Sequence, residues 1–451
     1  MKISVIGTGY VGLTSAVGLA SKGHDVTGVE KRQETLEKIK KGESPIFEKG
    51  LAELLKKVLA EKKLSMTSDL EAAVLGTDVS LMCVGTPSND DGSIDLSAIT
   101  EASASIGKAL KRKAGFHIIA VKSTVLPGTT INVVGKTISQ ESGKTAGKDF
   151  GISMVPEFLR EGSALSDFLE PDRIVIGAED EKTAATLSQL FSSFQSPIVL
   201  TNTKTAEMIK YTNNSFLALC ISFSNEIAQI CEKTGNADAQ QVLAAVVMDG
   251  RITTYKGGQK TVPGISKYLL PGCGFGGSCF PKDLSAMRSY EQKIGIRESL
   301  IEKTISINRV QTASIAQRAH EMLGTLDSRV ITVLGASFKP DTDDTRQSPA
   351  IEIINGLLKG GAKMRLYDPL ALAGIKKIFG DKISYFTSSK EALNGSELAI
   401  VVTAWKEFRQ LSPQNYISSM KKARVLDCRG IYDRDAYSKE LEYACTGYRR
   451  A

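Results

Sequence analysis

The sequence predicts an α/β protein: two doubly wound, parallel-sheet units joined by a long helix. Three observations carry that prediction. A strand, a glycine-rich turn and a helix open the chain, and strands and helices alternate from there to Val121. A second strand–loop–helix–strand pattern starts at Arg329. Between the two lies a largely apolar periodic stretch, Thr205 to Lys233. Alternation of this kind implies a parallel sheet, whose ligands bind beyond the carboxyl ends of the strands.

Lys2-Ile3-Ser4-Val5-Ile6 reads as a short buried strand, followed by Gly7-Thr8-Gly9-Tyr10-Val11-Gly12 and a helix through Ala20. This is the G-x-G-x-x-G fingerprint of a Rossmann-like dinucleotide fold in the setting it requires. Gly7 makes the tight turn, Gly9 lets backbone approach a pyrophosphate, and Gly12 permits close helix-to-strand packing. Asp25 to Val29 forms the next strand and ends in Glu30, where an acid binds the adenosine ribose. NAD is therefore preferred, although Lys31 and Arg32 are compatible with a 2′-phosphate. The plain alternative is a strand–turn–helix that binds no nucleotide. Asp78 to Val84, a helix from Leu96 and His117 to Val121 continue the alternation. Gly85-Thr86-Pro87 and Lys122-Ser123-Thr124 follow two of the strands and are expected to line the cofactor crevice, against the alternative of plain turns.

The Thr205–Lys233 stretch reads as a helix closed by Gly235. Glu207, Lys210 and Asn214 share one of its faces by three- and four-residue steps. So apolar a helix either connects domains or packs on a partner chain, and its polar residues are otherwise a solvated edge. Further on, Gly272, Gly274, Gly276 and Gly277 lead into Ser278-Cys279-Phe280-Pro281-Lys282-Asp283. Glycine permits left-handed backbone and proline suits the first helical turn, so the run reads as loop, then helix, with Cys279 at the entrance. Free amides and the helix dipole favour a thiolate there. The dipole is worth only about 0.3–1 kcal/mol, so strong activation needs a cation, and Lys282 and Lys210 are the candidates. A glycine-rich turn carrying a buried cysteine is the alternative.

In the last third, Arg329 to Leu334 reads as a strand, Ala350 to Lys359 as a helix and Lys363 to Tyr367 as a strand, a weak repeat of the N-terminal unit. Its first loop lacks the fingerprint and carries Lys339, Asp341, Asp343, Asp344 and Arg346, which suits a phosphate-bearing ligand or a charged surface loop. The formal charge of +7 on 451 residues is interspersed and does not argue for nucleic acid. Seven sparse cysteines suggest neither a disulfide scaffold nor a zinc site, so no metal is expected and a cytoplasmic location is. No membrane segment or signal peptide is read. His24, His117 and His320 lie outside every motif, which weakens a histidine-base hydroxyacid dehydrogenase reading.

Together these segments resemble the UDP-glucose and GDP-mannose 6-dehydrogenase family over nearly the whole chain. The matching motifs are Gly7 to Gly12, Val84 to Pro87, Ser123-Thr124, Pro156-Glu157-Phe158-Leu159-Arg160-Glu161-Gly162, Glu207 to Tyr211, Gly274 to Asp283, and Phe338 through Arg346. The opening motif and Cys-Phe-Pro-Lys-Asp look more like the UDP-glucose branch, whereas Thr124 to Gly128 and Phe150 are similar to GDP-mannose enzymes. The resemblance implies an NAD-binding domain over 1–204, a central helical, dimerising and cysteine-bearing region over 205–325, and a nucleotide-sugar domain over 326–451. It implies a homodimer or larger homo-oligomer. The implied reaction is a four-electron oxidation of the sugar's 6-hydroxymethyl group using two NAD, with Cys279 carrying a thiohemiacetal and then a thioester.

Residue by residue, the resemblance implies that Asp283 accepts a proton and that Lys210 and Asn214 stabilise oxyanions. Glu161 or Glu157, with Thr124, positions the hydrolytic water. Gly7, Gly9, Tyr10, Val11, Gly12, Glu30, Thr86, Thr124 and Arg346 serve the cofactor. Lys210, Asn214, Arg251, Tyr268, Gly272, Gly276, Lys339, Phe158 and Leu159 serve the nucleotide sugar. Two departures stand out. Asp249-Gly250-Arg251-Ile252 is followed by Thr253 where the family has glycine, and a lysine- and glycine-rich insertion runs to about Lys267; Glu30 replaces an aspartate. UDP-glucose is the expected substrate, with GDP-mannose or a UDP-N-acetylhexosamine as alternatives. Two further readings remain open: a noncatalytic NAD- and nucleotide-binding sensor, and a one-step dehydrogenase yielding one NADH.

Overall fold

Short runs of Val, Ile, Leu and Met, bounded by turns, are too brief for helices and too apolar for a solvent-facing sheet, so they form the buried strands of a parallel sheet. A computed structural model of the protein describes residues 1–256 and 259–449. In its first half the strands are β1 (Lys2–Ile6), β2 (Asp25–Val29), β3 (Leu64–Thr67), β4 (Val79–Met82), β5 (Ile118–Val121), β6 (Gly151–Met154), β7 (Ile174–Ala178) and β8 (Ile198–Thr201). Their order is β3-β2-β1-β4-β5-β6-β7-β8, parallel except for the antiparallel β6–β7 pair. Chain order reverses between β1 and β4, the position at which such sheets open a ligand crevice. Every residue of β4, β5 and β6 is buried. Ile3, Val5, Leu13 and Val17 pack on one face of the sheet, and Ile6, Met82, Ile99 and Phe150 on the other.

The second half contains an antiparallel hairpin of β9 (Thr254–Lys256) and β10 (Gln259–Thr261), then β11 (Val330–Leu334), β12 (Lys363–Tyr367), β13 (Ser384–Tyr385), β14 (Leu398–Val401), β15 (Arg424–Asp427) and β16 (Glu442–Cys445). The last six form a sheet ordered β13-β12-β11-β14-β15-β16, parallel throughout. This is the order of the first six strands again, so the weak sequence repeat is a repeat of topology. The two repeats use their second-strand acids differently. Glu30 follows β2, whereas Asp368, after β12, is buried and takes hydrogen bonds from the amides of Ala336, Ser337, Leu370 and Ala371 and from Trp405 Nε1. An acid so engaged with its own backbone is a structural clamp.

The two Rossmann-like sheets and the helix from Thr203 to Thr234 match the expected fold, and Gly235 closes that helix at φ +73. The chain divides into two units, Met1–Asn213 and Asn214–Ala451, with the boundary inside this helix. The strand expected over Asp78–Val84 is shorter, Val79–Met82, although the Cys83 amide still bonds to the Ile6 carbonyl at 2.8 Å. A second long helix, Leu300–Leu323, which no sequence motif marks, precedes β11. Within the insertion, Gly257 and Gly258 lie outside the described residues. Its first residue, Thr253, is buried and donates to the Val247 carbonyl at 2.5 Å. Among the described residues no helix is long and apolar enough to cross a membrane, and no group of three or more His, Cys, Asp or Glu could hold a metal.

Candidate active site

The fingerprint loop is tight where the sequence requires it and open where a ligand would enter. Gly7 adopts φ +88, and a Cβ on Gly12 would stand 1.8 Å from the Gly7 carbonyl oxygen. A Cβ on Gly9 would meet nothing within 4 Å. Gly9 caps the helix Tyr10–Ser21 with no side-chain hydrogen bond, which leaves first-turn amides, Val11 among them, available to an anion. Glu30 is buried and accepts from Thr8 Oγ1 at 2.8 Å and from the Arg32 amide at 3.0 Å. Burial pushes its carboxyl up, but the bonds from Arg32 and Thr8 outweigh this and hold it below its ordinary value of 4.5. It is thus an ionised acceptor suited to ribose hydroxyls. Thr86 Oγ1 donates to the Thr124 carbonyl at 3.1 Å, and Ser123 Oγ to that of Val84 at 2.7 Å, so the loops after β4 and β5 are tied together. Open backbone at Gly9, an uncapped helix end and a buried acid one strand away fit a dinucleotide.

In the same unit the Pro156–Gly162 segment follows β6. Glu157 Oε1 lies 2.9 Å from Lys210 Nζ, both side chains almost wholly buried, and Glu157 Oε2 accepts from the Leu159 amide at 2.6 Å. Burial raises the Glu157 carboxyl, but Lys210 and the Leu159 amide together hold it below 4.5. The Phe158 ring lies 4.0 Å from the Arg173 guanidinium and 5.5 Å from Lys210 Nζ. Lys122 is buried, its ammonium made more acidic by desolvation, and with Glu157, Phe158, Leu159 and Arg173 it lines a cavity of about 90 Å³. Glu207 takes the amides of Gly128 and Thr130, so the polar face of the long helix is internal, not a solvated edge. Glu161 is half-buried, and the next amide, Gly162, donates to both Tyr10 Oη and Glu48 Oε2 at 2.9 Å.

In the second unit Cys279 is half-buried and is the N-cap of the helix Phe280–Lys293, with Pro281 in the first turn, as expected. The Asp283 amide bonds to the Cys279 carbonyl at 2.8 Å, which puts the carboxylate one turn on from the thiol. Asp283 is buried between Asn214 Nδ2 and Lys282 Nζ, each at 2.6 Å. Lys282 is therefore committed to Asp283. The preceding loop is held by side chains that sequence reasoning missed. Asn225 accepts from the Gly272 amide at 2.8 Å and Gln311 donates to the Gly272 carbonyl at 2.7 Å. Asn308 bonds both the amide and the carbonyl of Phe275, and Thr312 the Cys273 carbonyl. The available signal was Asn308, Gln311 and Thr312 spaced along one helical face. A Cβ on Gly276 would lie 2.2 Å from the Gln347 carbonyl, and Gly277, at φ +86, packs on Phe338.

Tyr268 is half-buried with its ring centroid 6.5 Å from that of Phe280, and Lys339 is half-buried with Nζ 5.5 Å from the Phe338 ring. Arg346 and Arg251 are mostly exposed, each forked onto a nearby aspartate: Arg346 on Asp344 at 2.8 Å and Arg251 on Asp249 at 2.7 Å.

Comparison with known proteins agrees with this geometry. Three domain profiles of the UDP-glucose/GDP-mannose dehydrogenase family match: the NAD binding domain over residues 1–195, the central domain over 204–310 and the UDP binding domain over 332–434. The chain is 40% identical to UDP-glucose 6-dehydrogenase AglM of Haloferax volcanii, over 96% of this chain and 98% of that one. It is 39% identical to GDP-mannose 6-dehydrogenase of Pseudomonas savastanoi pv. phaseolicola, over 96% of each. A solved UDP-glucose dehydrogenase from Pyrobaculum islandicum superposes with a TM-score of 0.91 at 36% identity, over 99% of this chain and 98% of that one. A dinucleotide crevice in one unit and a cysteine at a helix entrance in the other thus belong to a member of the UDP-glucose/GDP-mannose dehydrogenase family, an NAD-dependent oxidoreductase of nucleotide sugars.

Proposed function

We propose that this enzyme oxidises UDP-glucose to UDP-glucuronate by two successive hydride losses from C6, the aldehyde formed in the first being captured by Cys279 before the second. The observation that carries the reading is the half-buried thiol at a helix entrance, one turn from a buried Asp283 fixed by Asn214 and Lys282. NAD, when bound, supplies the hydride acceptor for both oxidations. Cys279 holds the aldehyde-level carbon as a thiohemiacetal and the acid-level carbon as a thioester, so no free aldehyde leaves between the two. Asp283 takes up a proton, while Lys210 and Asn214 stabilise oxyanion character on the substrate oxygen. Glu161 or Glu157, with Thr124, orients the water that cleaves the thioester.

In the same reading Phe158, Leu159, Tyr268, Gly272, Gly276, Lys339 and Arg251 hold the nucleotide sugar, and Arg346 reaches the cofactor. The domains divide as 1–204 for NAD, 205–325 for dimerisation and the cysteine, and 326–451 for the nucleotide. Phe216, Phe223 and Ile230, exposed and one heptad apart on the long helix, favour a homodimer. A cytoplasmic location suits a chain of seven free thiols.

Turnover with a panel of nucleotide sugars tests the reading. Two NADH per UDP-glucose with UDP-glucuronate as product is expected, and Cys279→Ala forms no acid. One NADH per sugar would defeat the covalent route. Preferential use of GDP-mannose would move the enzyme to the second reading, which the 39% identity to a GDP-mannose 6-dehydrogenase keeps in play.

A further inference from the structure

Tyr10 lies in the fingerprint itself, and its side chain has a separate set of partners. Its hydroxyl donates to Glu48 Oε2. The amide of Gly162 donates to the Tyr10 hydroxyl and to the same Glu48 oxygen, both at 2.9 Å. One junction therefore joins three stretches far apart in sequence: the phosphate-facing turn, the buried Glu48 and the residue after Glu161. Glu48 is buried, and Gly162 sits at φ +81, a conformation that strains any other residue. Burial and the bond to Glu48 both push the Tyr10 phenol up, so it stays protonated and remains a donor across the working range.

The charged and titratable groups facing Tyr10 are Glu48 and, through its field, Glu161. Both are acidic, so a phenolate there is disfavoured and the contact is a fixed hydrogen bond, not a titrating switch. The shared oxygen of Glu48 leaves little freedom. If the turn shifts as backbone closes on a pyrophosphate, the Gly162 amide must follow or lose the Tyr10 hydroxyl as an acceptor in a half-buried setting.

From this geometry we infer that Tyr10 and Glu48 are positioning residues that couple occupancy of the dinucleotide turn to the placement of the Pro156–Gly162 segment. The inference depends only on NAD binding at the fingerprint and stands whether or not UDP-glucose is the substrate. Through it, cofactor arrival would order the stretch that carries Glu157 and Glu161 before chemistry begins. Tyr10 thus contributes to the cofactor site with its backbone and to the neighbouring segment with its hydroxyl.

Amide hydrogen exchange of the full-length protein, with and without NAD and no sugar present, provides the test. In the unaltered protein, NAD should slow exchange of the peptide spanning Pro156–Gly162 severalfold. Glu48→Ala should bind NAD within about threefold of the original affinity yet lose that protection, and Tyr10→Phe should lose it at saturating NAD. Glu48→Gln, whose amide oxygen can accept both bonds, should keep it, which a merely structural requirement for the carboxylate charge would not predict. Unchanged protection in Tyr10→Phe and Glu48→Ala, or no effect of NAD on this peptide in the unaltered protein, would overturn the inference. Loss of NAD binding in Tyr10→Phe would overturn it too, by making the hydroxyl a cofactor ligand. Should Tyr10→Phe fail to fold, the Glu48→Ala and Glu48→Gln pair decides alone.

Discussion

Lys210 and Glu157 are two opposite charges buried 2.9 Å apart, and neither tolerates loss of the other. Removing one partner of such a pair strands a charge away from water, at a cost of about 3–5 kcal/mol. Lys210→Met should therefore lower the unfolding free energy by that order, measured by denaturant titration, besides impairing turnover. The pH response follows from the depressed carboxyl. Glu157 titrates below 4.5 in the folded chain, so its stabilisation is complete above about that pH. It is lost as pH falls through the lower folded value, because the unfolded chain binds its proton first. Glu157→Gln should flatten the dependence of the thermal midpoint on pH in this acid range; an unchanged slope would show that Glu157 is not the group responsible.

At the scale of the loop and the helix, glycines in one motif have different tasks. Gly12→Ala places a methyl 1.8 Å from the Gly7 carbonyl and should destabilise the apo protein by about 1–3 kcal/mol. Gly9→Ala meets no protein atom at ordinary φ, so apo stability should stay within about 0.5 kcal/mol while NAD affinity falls, read by calorimetry. The cysteine loop depends on polar residues of neighbouring helices. Asn225→Ala would leave the buried Gly272 amide without its acceptor, a loss of about 1–3 kcal/mol. A wild-type melting curve for that variant would mean the loop is held without Asn225.

For the whole molecule the exposed stripe of Phe216, Phe223 and Ile230 is the feature that a lone chain explains least. If it is the homodimer face, Phe223→Asp should shift the protein to a monomer in light scattering coupled to size exclusion. An unchanged mass would remove the stripe from the interface. The same order of six strands in both sheets shows one topology put to two uses. The first repeat keeps an open glycine turn and a buried acid bonded to Thr8 and Arg32, while the second uses Asp368 to brace its own loops.

Strand periodicity, the fingerprint and the Gly–Pro punctuation around Cys279 were local patterns. Because neighbouring residues dictate turns, caps and strand faces, the sequence by itself determined β1, β2, β4 and β5 of the first sheet, β11 and β12 of the second, the long helix and the helix entrance that carries the thiol. Partners across a hundred residues leave no such trace. That Glu207 faces inward, that Lys282 is spent on Asp283, that Asn225, Asn308 and Gln311 hold the glycine loop, and that Tyr10 reaches Gly162 were decided only by tertiary packing. Buried polar groups must find partners wherever the fold brings them, and a hydrogen bond between distant residues obeys geometry in space, not spacing along the chain.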